Sequence, residues 1–158
     1  MKTQEETSII QRLQSPFEPD AVHFRIDGNP VVEYNDRMVC RSVPYLESRD
    51  CMDRLDDVFG FDGWSFSARL SDKEQVDGKT MYSVIGSLII DGVSKTDCGT
   101  DETLKGALSD CLKRCCVHIG IGRYLYRLPS LYADVIRSGK GWKITNESMK
   151  RLRARLPR

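Results

Sequence analysis

Residues 104–129 read LKGALSDCLKRCCVHIGIGRYLYRLP and hold the longest helical pattern in the chain. The apolar residues of this stretch recur at the spacing of one buried helix face, at Leu104, Leu108, Cys111, Leu112, Cys115 and Ile119. Thr100 is a suitable N-cap, because Asp101 and Glu102 would then lie in the first turn, where the helix dipole favours acidic groups. Gly120 suits a helix end, since glycine adopts the left-handed conformation found there. We therefore predict a long helix with one buried face.

The other side of this predicted helix is basic. Lys105, Ser109 and Lys113 are spaced four residues apart, so they form one strip along the helix. Further cations and aromatic residues follow, namely Arg114, Arg123, Tyr124, Tyr126 and Arg127. Cations that contact phosphates and aromatic rings that stack on bases are the two parts of single-strand recognition. The stretch therefore indicates nucleic-acid binding, and a solvated helix surface is the alternative interpretation.

The composition is that of a soluble globular protein. The 158 residues suit one domain with a core, and 40% hydrophobic and 30% charged residues are ordinary values. No apolar run approaches the roughly 20 residues of a membrane span, so we expect no membrane partner. The N-terminus, MKTQEETSII, shows no apolar signal segment, which predicts a cytoplasmic protein with its six cysteines mostly as thiols.

The charge is distributed unevenly along the chain. Residues 1–102 contain 11 Lys/Arg and 20 Asp/Glu, whereas residues 103–158 contain 13 Lys/Arg and 3 Asp/Glu. This asymmetry predicts an acidic partner for the basic part, and it also permits head-to-tail contacts between acidic and basic faces of two subunits. A disordered basic tail would explain residues 150–158 but not the cations of residues 105–127.

Turn signals and hydrophobic periodicity predict the remaining elements. We expect a helix around residues 9–13, strands over 21–26 and 38–43 with a turn at 27–30, and a helix over 46–59. Alternation predicts strands over 64–70, 81–90 and 93–97, with a hairpin turn at Asp91–Gly92. The predicted fold class is α+β, in which a three-stranded antiparallel β-meander is packed by the long α-helix as a β-β-β-α core.

The end of the chain is predicted to be less regular. We expect a short helix around residues 131–136, then a linker over residues 138–141 that leads to a basic tail. This interpretation divides the chain into a domain of residues 1–137 and a C-terminal linker and tail of residues 138–158.

The residue patterns argue against several kinds of chemistry. Gly78-Lys79-Thr80 resembles the end of a phosphate-binding loop, but Lys73 occupies the position of its first glycine. Four possible metal ligands share one helix, namely Cys111, Cys115, Cys116 and His118, so a metal- or thiol-dependent enzyme is an alternative. The first two lie on the apolar stripe, however, where free cysteine packs as a small hydrophobe. We expect no catalytic residues, no metal and no cofactor.

Two segments resemble the single-strand annealing proteins of the Rad fifty-two type, nearest their bacterial DdrA and phage branch. They are LSDCLKRCCVHIGIGRYLYRLP at residues 108–129 and YLESRDCMDRLDDVFGFDGW at residues 45–64, and RLQSPFEPDAVHFR at residues 12–25 is also similar. The resemblance implies an oligomeric ring that holds single-stranded DNA in a basic groove. It also implies ATP-independent annealing of complementary strands in recombination and double-strand break repair. Passive protection of single-stranded ends is the alternative.

The resemblance further implies partners and individual contacts. A single-strand binding protein or an exonuclease is a candidate partner. The protein itself is expected to be associated with the nucleoid of a bacterium or to be encoded by a phage of that bacterium. The inner-groove Lys-Arg pair of the family falls on Lys113 and Arg114, and a further groove lysine falls on Lys105. One family arginine falls on Asp50, so Arg49 is its candidate replacement. Another falls on Val117, for which Arg123 is the candidate. The predicted DNA-binding residues are Arg49, Phe61, Lys105, Lys113, Arg114, Arg123, Tyr124, Tyr126 and Arg127.

Overall fold

A computed structural model describes residues 4–32 and 34–158 of the chain. The described elements follow in the order α1 (Gln4–Gln14), β1 (His23–Val32), β2 (Met38–Tyr45), α2 (Ser48–Phe59), β3 (Trp64–Val76), β4 (Lys79–Ile90), β5 (Val93–Asp101), α3 (Leu104–His118), β6 (Leu131–Ser138), β7 (Gly141–Ile144) and α4 (Asn146–Ala154). They divide between two compact units. Unit 1 comprises the N-terminal segment up to Ser15 and Glu47–Arg123, and unit 2 comprises Pro16–Leu46 and Tyr124–Arg158. No helix in the described part of the chain has the length and apolar character needed to cross a membrane.

Unit 1 contains the predicted β-β-β-α core. β3, β4 and β5 form an antiparallel meander, and α3 packs on it. Both hairpins turn through two residues with positive φ, Asp77–Gly78 and Asp91–Gly92, as a tight turn between twisted strands requires. Gly78 therefore belongs to a strand-to-strand turn, as predicted. β3 runs to Val76, six residues beyond the predicted strand end.

Two glycines allow α3 to lie close to the sheet. A Cβ atom on Gly99 would stand 2.3 Å from the Ala107 carbonyl oxygen, and one on Gly86 would stand 2.8 Å from the Cys111 sulfur. Only small side chains fit into so narrow a gap. The residues of α3 at these glycines are accordingly small, namely Ala107, Cys111 and Cys115, and Leu112 and Cys116 are buried as well. The predicted stripe was therefore wrong in part, because Leu104 and Leu108 are partly exposed.

The start of α3 also differs from the prediction. Thr100 is not the N-cap, because it belongs to β5, where it pairs with Ser83 of β4. Thr103 is the N-cap, and its hydroxyl oxygen accepts a hydrogen bond of 3.0 Å from the Gly106 amide. The predicted helix end is confirmed, since Gly120 follows the C-cap with a φ of 108°.

The two other helices of unit 1 agree with the sequence. α1 covers the predicted helix around residues 9–13, and α2 ends at Phe59 with Gly60 as its C-cap, as predicted. α2 begins with a capping box, in which the Asp50 carboxylate accepts a hydrogen bond of 2.9 Å from the Glu47 amide. Arg54 of α2 donates to the carbonyl oxygens of Arg12 and Ser15, at 2.8 and 2.9 Å, which fastens α2 to the end of α1.

Unit 2 is built on an antiparallel sheet in the order β1-β2-β6-β7. The predicted strands over residues 21–26 and 38–43 are present, but the predicted turn at residues 27–30 is wrong. β1 continues through it to Val32, and the pairing with β2 shifts register between Asp27 and Val31. Gly28 has a φ of 81°, so the turn-forming residues produce an irregularity within a strand.

The predicted helix around residues 131–136 is also wrong, because this segment is strand β6. Leu131, Ala133 and Val135 are buried, whereas Tyr132 and Ile136 are exposed. This alternation has the period of two residues that a half-buried strand requires. β2 supplies the partner strand, which cannot be inferred from the segment by itself.

The C-terminal residues fold as part of unit 2, so the predicted linker and tail are wrong. The boundary after residue 137 falls inside β6, and Gly139–Lys140 forms the turn to β7. α4 then starts at the N-cap Thr145, and its Leu152 side chain is only 2% exposed. Its apolar stripe contains few residues. The eight Lys/Arg among residues 137–158 made the segment look like a basic tail in the sequence.

Candidate nucleic-acid interface

The exposed side of α3 carries the cations that the sequence indicated. Lys105 and Arg114 are exposed, and Lys113 and Ser109 are half-buried. Lys105 and Lys113 are separated by eight residues, which corresponds to about 12 Å along the helix axis. Because the opposite side of α3 is fixed against the sheet through Gly86 and Gly99, these cations project from a rigid support. Unit 1 therefore presents a basic helix face, defined by Lys105, Lys113 and Arg114.

An aspartate of the sheet holds Arg114 in place. Arg114 Nε donates to Asp97 Oδ1 at 3.1 Å, while His118 Nε2 lies 2.8 Å from Asp97 Oδ2. Burial would raise the pKa of Asp97, but hydrogen bonds from the Cys98 amide, His118 and Arg114 outweigh it and lower the pKa below its ordinary value. The Asp97 bond raises the pKa of Arg114. This ion pair keeps the guanidinium charged and oriented, with 48% of its side chain exposed.

Arg49 and Asp50 lie at the start of α2. Asp50 stands where the resemblance implied an arginine, and here its carboxylate completes the capping box with Glu47. Arg49 is exposed and lies 3.9 Å from the Glu47 carboxylate, at the limit of an ion pair. Asp50 therefore has a local role in the helix start, and Arg49 is the cation that this region offers to a ligand. Phe61 lies just beyond the end of α2 and is 85% exposed.

Arg123 serves the end of α3. Its Nε donates to the Val117 carbonyl oxygen at 2.9 Å, and its Nη2 donates to the His118 carbonyl oxygen at 2.6 Å. These acceptors belong to the last turn of the helix, whose carbonyl groups have no partner within the helix. Arg123 is therefore a capping residue, and only its remaining donor groups could reach a phosphate.

The last three predicted residues belong to unit 2. The Tyr124 hydroxyl accepts a hydrogen bond of 3.1 Å from the Phe17 amide, which gives this half-buried ring a structural role. Tyr126 and Arg127 are both exposed, so they can contact a ligand. The structure thus brings Lys113 and Arg114 together on unit 1 and places these three residues on the other unit.

The cysteines of α3 are core thiols. Cys111 Sγ donates to the Asp97 carbonyl oxygen at 3.4 Å, and Cys115 Sγ donates to the Gly86 carbonyl oxygen at 3.5 Å. Burial raises the pKa of Cys111 to about 12, which keeps the thiol protonated and unreactive. Among the residues that the structure describes, no three His, Cys, Asp or Glu side chains form a group that could hold a metal ion.

Sequence reasoning missed two aspartates that organise arginines. Asp97 pairs with Arg114 seventeen residues away, and Asp134 of β6 pairs with Arg37 and Arg151. No local sequence signal announces these pairs, because each joins elements that only the fold brings together. The nearest signal is the alternation of residues 131–136, which places Asp134 among the polar positions of a strand but does not indicate its arginine partners.

Comparison with known proteins identifies the family. The Rad52/22 family of double-strand break repair proteins matches residues 5–142. The chain belongs to this family, so the resemblance seen in the sequence is confirmed. It is 41% identical over 128 residues to the single-stranded DNA-binding protein DdrA of Deinococcus deserti, and this match covers 78% of the chain. It is 35% identical over 133 residues to the DdrA of Deinococcus radiodurans, which covers 81% of the chain. The chain spans 59% of the length of each relative.

Proposed function

We propose that this chain binds single-stranded DNA through its phosphates at the basic face of α3. The observation that carries the proposal is the placement of Arg114, which Asp97 orients beside Lys113 on a rigid helix. Lys and Arg neutralise phosphates without reading bases, so binding would be independent of sequence. Membership of the Rad52/22 family and the names of the two relatives support the choice of ligand. Arg49, Phe61, Tyr126 and Arg127 remain candidate contacts.

The proposed activity is annealing of complementary strands without ATP, in recombination and double-strand break repair. Annealing needs the backbone held while the base edges stay accessible, and phosphate contacts do this. Base pairing itself supplies the free energy. Gly78-Lys79-Thr80 lies at a strand-to-strand turn, whereas a phosphate-binding loop leads from a strand into a helix. Annealing by this chain stays a proposal, as do a location at the nucleoid and a single-strand binding protein or exonuclease as partner.

A ring of identical subunits is the proposed assembly. β3 and β5 are the edge strands of the unit 1 sheet, and Leu70, Val76 and Val93 are exposed on them. Exposed strand edges with apolar side chains favour contact with another chain. Together with the acidic N-terminal part and the basic C-terminal part of the sequence, these edges favour heterologous contacts that close into a ring. Light scattering that gives a monomer at micromolar concentration, with and without DNA, would contradict this assembly.

Protection of single-stranded DNA without annealing is the second candidate, because the relatives are named for binding alone. The two functions are separated by mixing complementary labelled oligonucleotides with the protein in the absence of nucleotide. Annealing predicts faster pairing than the strands show unaided, whereas protection predicts slower pairing. If labelled single-stranded DNA does not bind at all at low salt, both candidates are wrong.

A further inference from the structure

His118 lies at the end of α3, beside the basic helix face. It comes four residues after Arg114, so the two side chains are neighbours on the helix surface. His118 is 45% exposed, and its Nε2 lies 2.8 Å from Asp97 Oδ2, while Arg114 donates to Oδ1 of the same carboxylate. The basic face therefore ends in three ionisable side chains joined by one carboxylate. We call Asp97, Arg114 and His118 the Asp97 cluster.

The contact with Asp97 fixes which nitrogen of His118 exchanges its proton. Burial would raise the pKa of Asp97, but hydrogen bonds lower it overall, so the carboxylate is ionised at neutral pH and can only accept hydrogen bonds. Nε2 must therefore carry a hydrogen in both states of the ring, and Nδ1 is the nitrogen that gains or loses one. With His118 neutral, Arg114 balances Asp97. With His118 protonated, the Asp97 cluster has one net positive charge and a further N–H donor.

Charged groups of both signs surround His118. Asp97 and the last carbonyl groups of α3 favour a protonated ring, because the helix end carries partial negative charge. Three cations oppose protonation through like charge. Arg114 shares the Asp97 carboxylate, and Arg123 donates to the His118 carbonyl oxygen at 2.6 Å. Half-buried Lys95 lies two residues before Asp97, so both point to the face of β5 that α3 covers.

The other contacts of α3 in the described part of unit 1 are with neutral groups. The strands β3 and β4 present uncharged side chains beneath this helix, namely Phe66, Ala68, Val84 and Leu88. The Cys111 thiol donates to the Asp97 carbonyl oxygen and stays protonated, since burial raises its pKa to about 12. α2 contacts α3 through Cys51 and Cys116. Cys116 lies two residues before His118 and therefore on a different side of the helix.

The chain has two histidines, and they belong to different units. Histidine is the residue whose ordinary pKa, about 6.5, lies between pH 5 and 8. His23 is on β1 of unit 2, where its ring packs on that of Tyr45 with 5.5 Å between the ring centres. His118 is therefore the imidazole that can change the charge of the basic helix face near neutral pH.

We propose that His118 makes the binding of single-stranded DNA by α3 dependent on pH. The proposal rests on the proposed function for the ligand and for the face that binds it. When Nδ1 gains a proton, the imidazolium adds a positive charge beside Arg114 and an N–H that donates to a phosphate. The phosphates in turn favour the protonated ring, so binding takes up a proton and affinity rises as the pH falls.

The test measures the affinity of the full chain for a fluorescent oligothymidine between about pH 5.5 and pH 8, at constant ionic strength. The wild type should bind about 2- to 5-fold more tightly at the acidic end, the contribution of one partly exposed ionic contact. Because one more phosphate is neutralised, the dependence of log affinity on log salt should also be steeper there by about 0.7.

Three variants assign the pH dependence to His118. His118→Gln keeps an N–H donor for Asp97 but cannot titrate, so it should match the wild type at the alkaline end and lack the gain at the acidic end. His118→Lys is charged throughout, so it should bind at the alkaline end about as tightly as the wild type does at the acidic end. His23→Gln is the matched control on unit 2 and should keep the full pH dependence.

The same measurements separate this inference from the proposed α3 site. The inference is overturned if His118→Gln keeps the pH dependence of the wild type. It is also overturned if that variant loses the same affinity at every pH, because a purely structural role gives this result. In both cases the α3 site stands if Lys113→Ala with Arg114→Ala weakens binding. If that double variant instead binds like the wild type at every pH, the α3 site and the role of His118 are both wrong.

Discussion

The helices α3 and α4 share the same structural features in the two units. Each begins at a threonine N-cap and packs one face on an antiparallel sheet. Each also directs an arginine to an aspartate on a strand, Arg114 to Asp97 and Arg151 to Asp134. In both units the carboxylate is the less exposed partner, so it fixes a cation that stays at the surface.

The difference between the helices lies in how firmly the sequence specifies them. α3 has fifteen residues and a nearly continuous row of small buried side chains that fit against Gly86 and Gly99. α4 has nine residues and is anchored chiefly by Ser148 and Leu152, and Leu156 is buried just beyond its end. A short apolar stripe among many cations resembles a disordered tail in the sequence. It is nevertheless sufficient to hold the helix in place when a sheet packs against it. High charge alone is therefore a poor indicator of disorder.

The largest expected effect is on DNA binding, and it would show which of the two helices contributes more to that binding. Lys113→Ala with Arg114→Ala removes two phosphate contacts from α3, so affinity for labelled single-stranded DNA should fall at every DNA sequence, with a salt slope lower by about 1.4. The buried face of α3 is unaffected and alanine favours helix, so sizing and circular dichroism should match the wild type. Unchanged affinity and slope would make α4 the principal DNA-binding helix.

The next effect concerns stability and decides whether α4 is a structural element. Leu152 is 2% exposed, so Leu152→Ala leaves a cavity and should reduce the free energy of unfolding by about 2–5 kcal/mol. Urea denaturation gives the value, and Lys150→Ala on the exposed face is the control, expected to change stability by less than about 0.5 kcal/mol. Equal stability of both variants would restore the interpretation of residues 138–158 as a tail.

A third effect tests the close approach of α3 to its sheet. A methyl group on Gly99 would collide with backbone atoms of Ala107 and Cys111 at 2.3 Å, and backbone cannot rotate aside. Gly99→Ala should therefore reduce the free energy of unfolding by about 1–3 kcal/mol. Gly141 of β7 offers a matched control, because its nearest neighbour would be 3.9 Å away. Equal stability of Gly99→Ala and Gly141→Ala would show that α3 can move away from the sheet without loss.

The sequence predicted unit 1 better than unit 2 for a physical reason. In unit 1 the partners are consecutive in sequence, so each hairpin signal and the helix that follows specify the neighbour directly, as at Asp91–Gly92. In unit 2, β6 pairs with β2, about ninety residues earlier in the chain. Residues 131–136 alternate clearly, but a short apolar segment suits a strand only where a partner exists. The candidate site shows the same limit within unit 1, since the local pattern placed Lys113 and Arg114 on the polar side of the helix but did not indicate that Asp97 pairs with Arg114.

The smallest expected effect is a dependence of stability on pH that both aspartates should share. Hydrogen bonds and ion pairs lower the pKa of Asp97 and of Asp134 in the folded state. A carboxyl group with a lowered folded pKa stabilises the protein above its unfolded pKa of about 3.9, and this contribution is lost as the pH falls through the folded value. The wild type should therefore lose stability on acidification below about pH 4 to 5.

The two aspartates can be compared by substituting each in turn. Asp97→Asn and Asp134→Asn each remove one titrating group, so each variant should be less stable than the wild type at pH 7 and should lose less stability on acidification. Urea midpoints measured between pH 7 and pH 3 give both quantities. Asp97→Asn should also weaken DNA binding more than Asp134→Asn does, because Asp97 orients Arg114 of the proposed α3 site. If neither substitution reduces the loss of stability on acidification, packing holds the arginines in place and the carboxylates do not fix them.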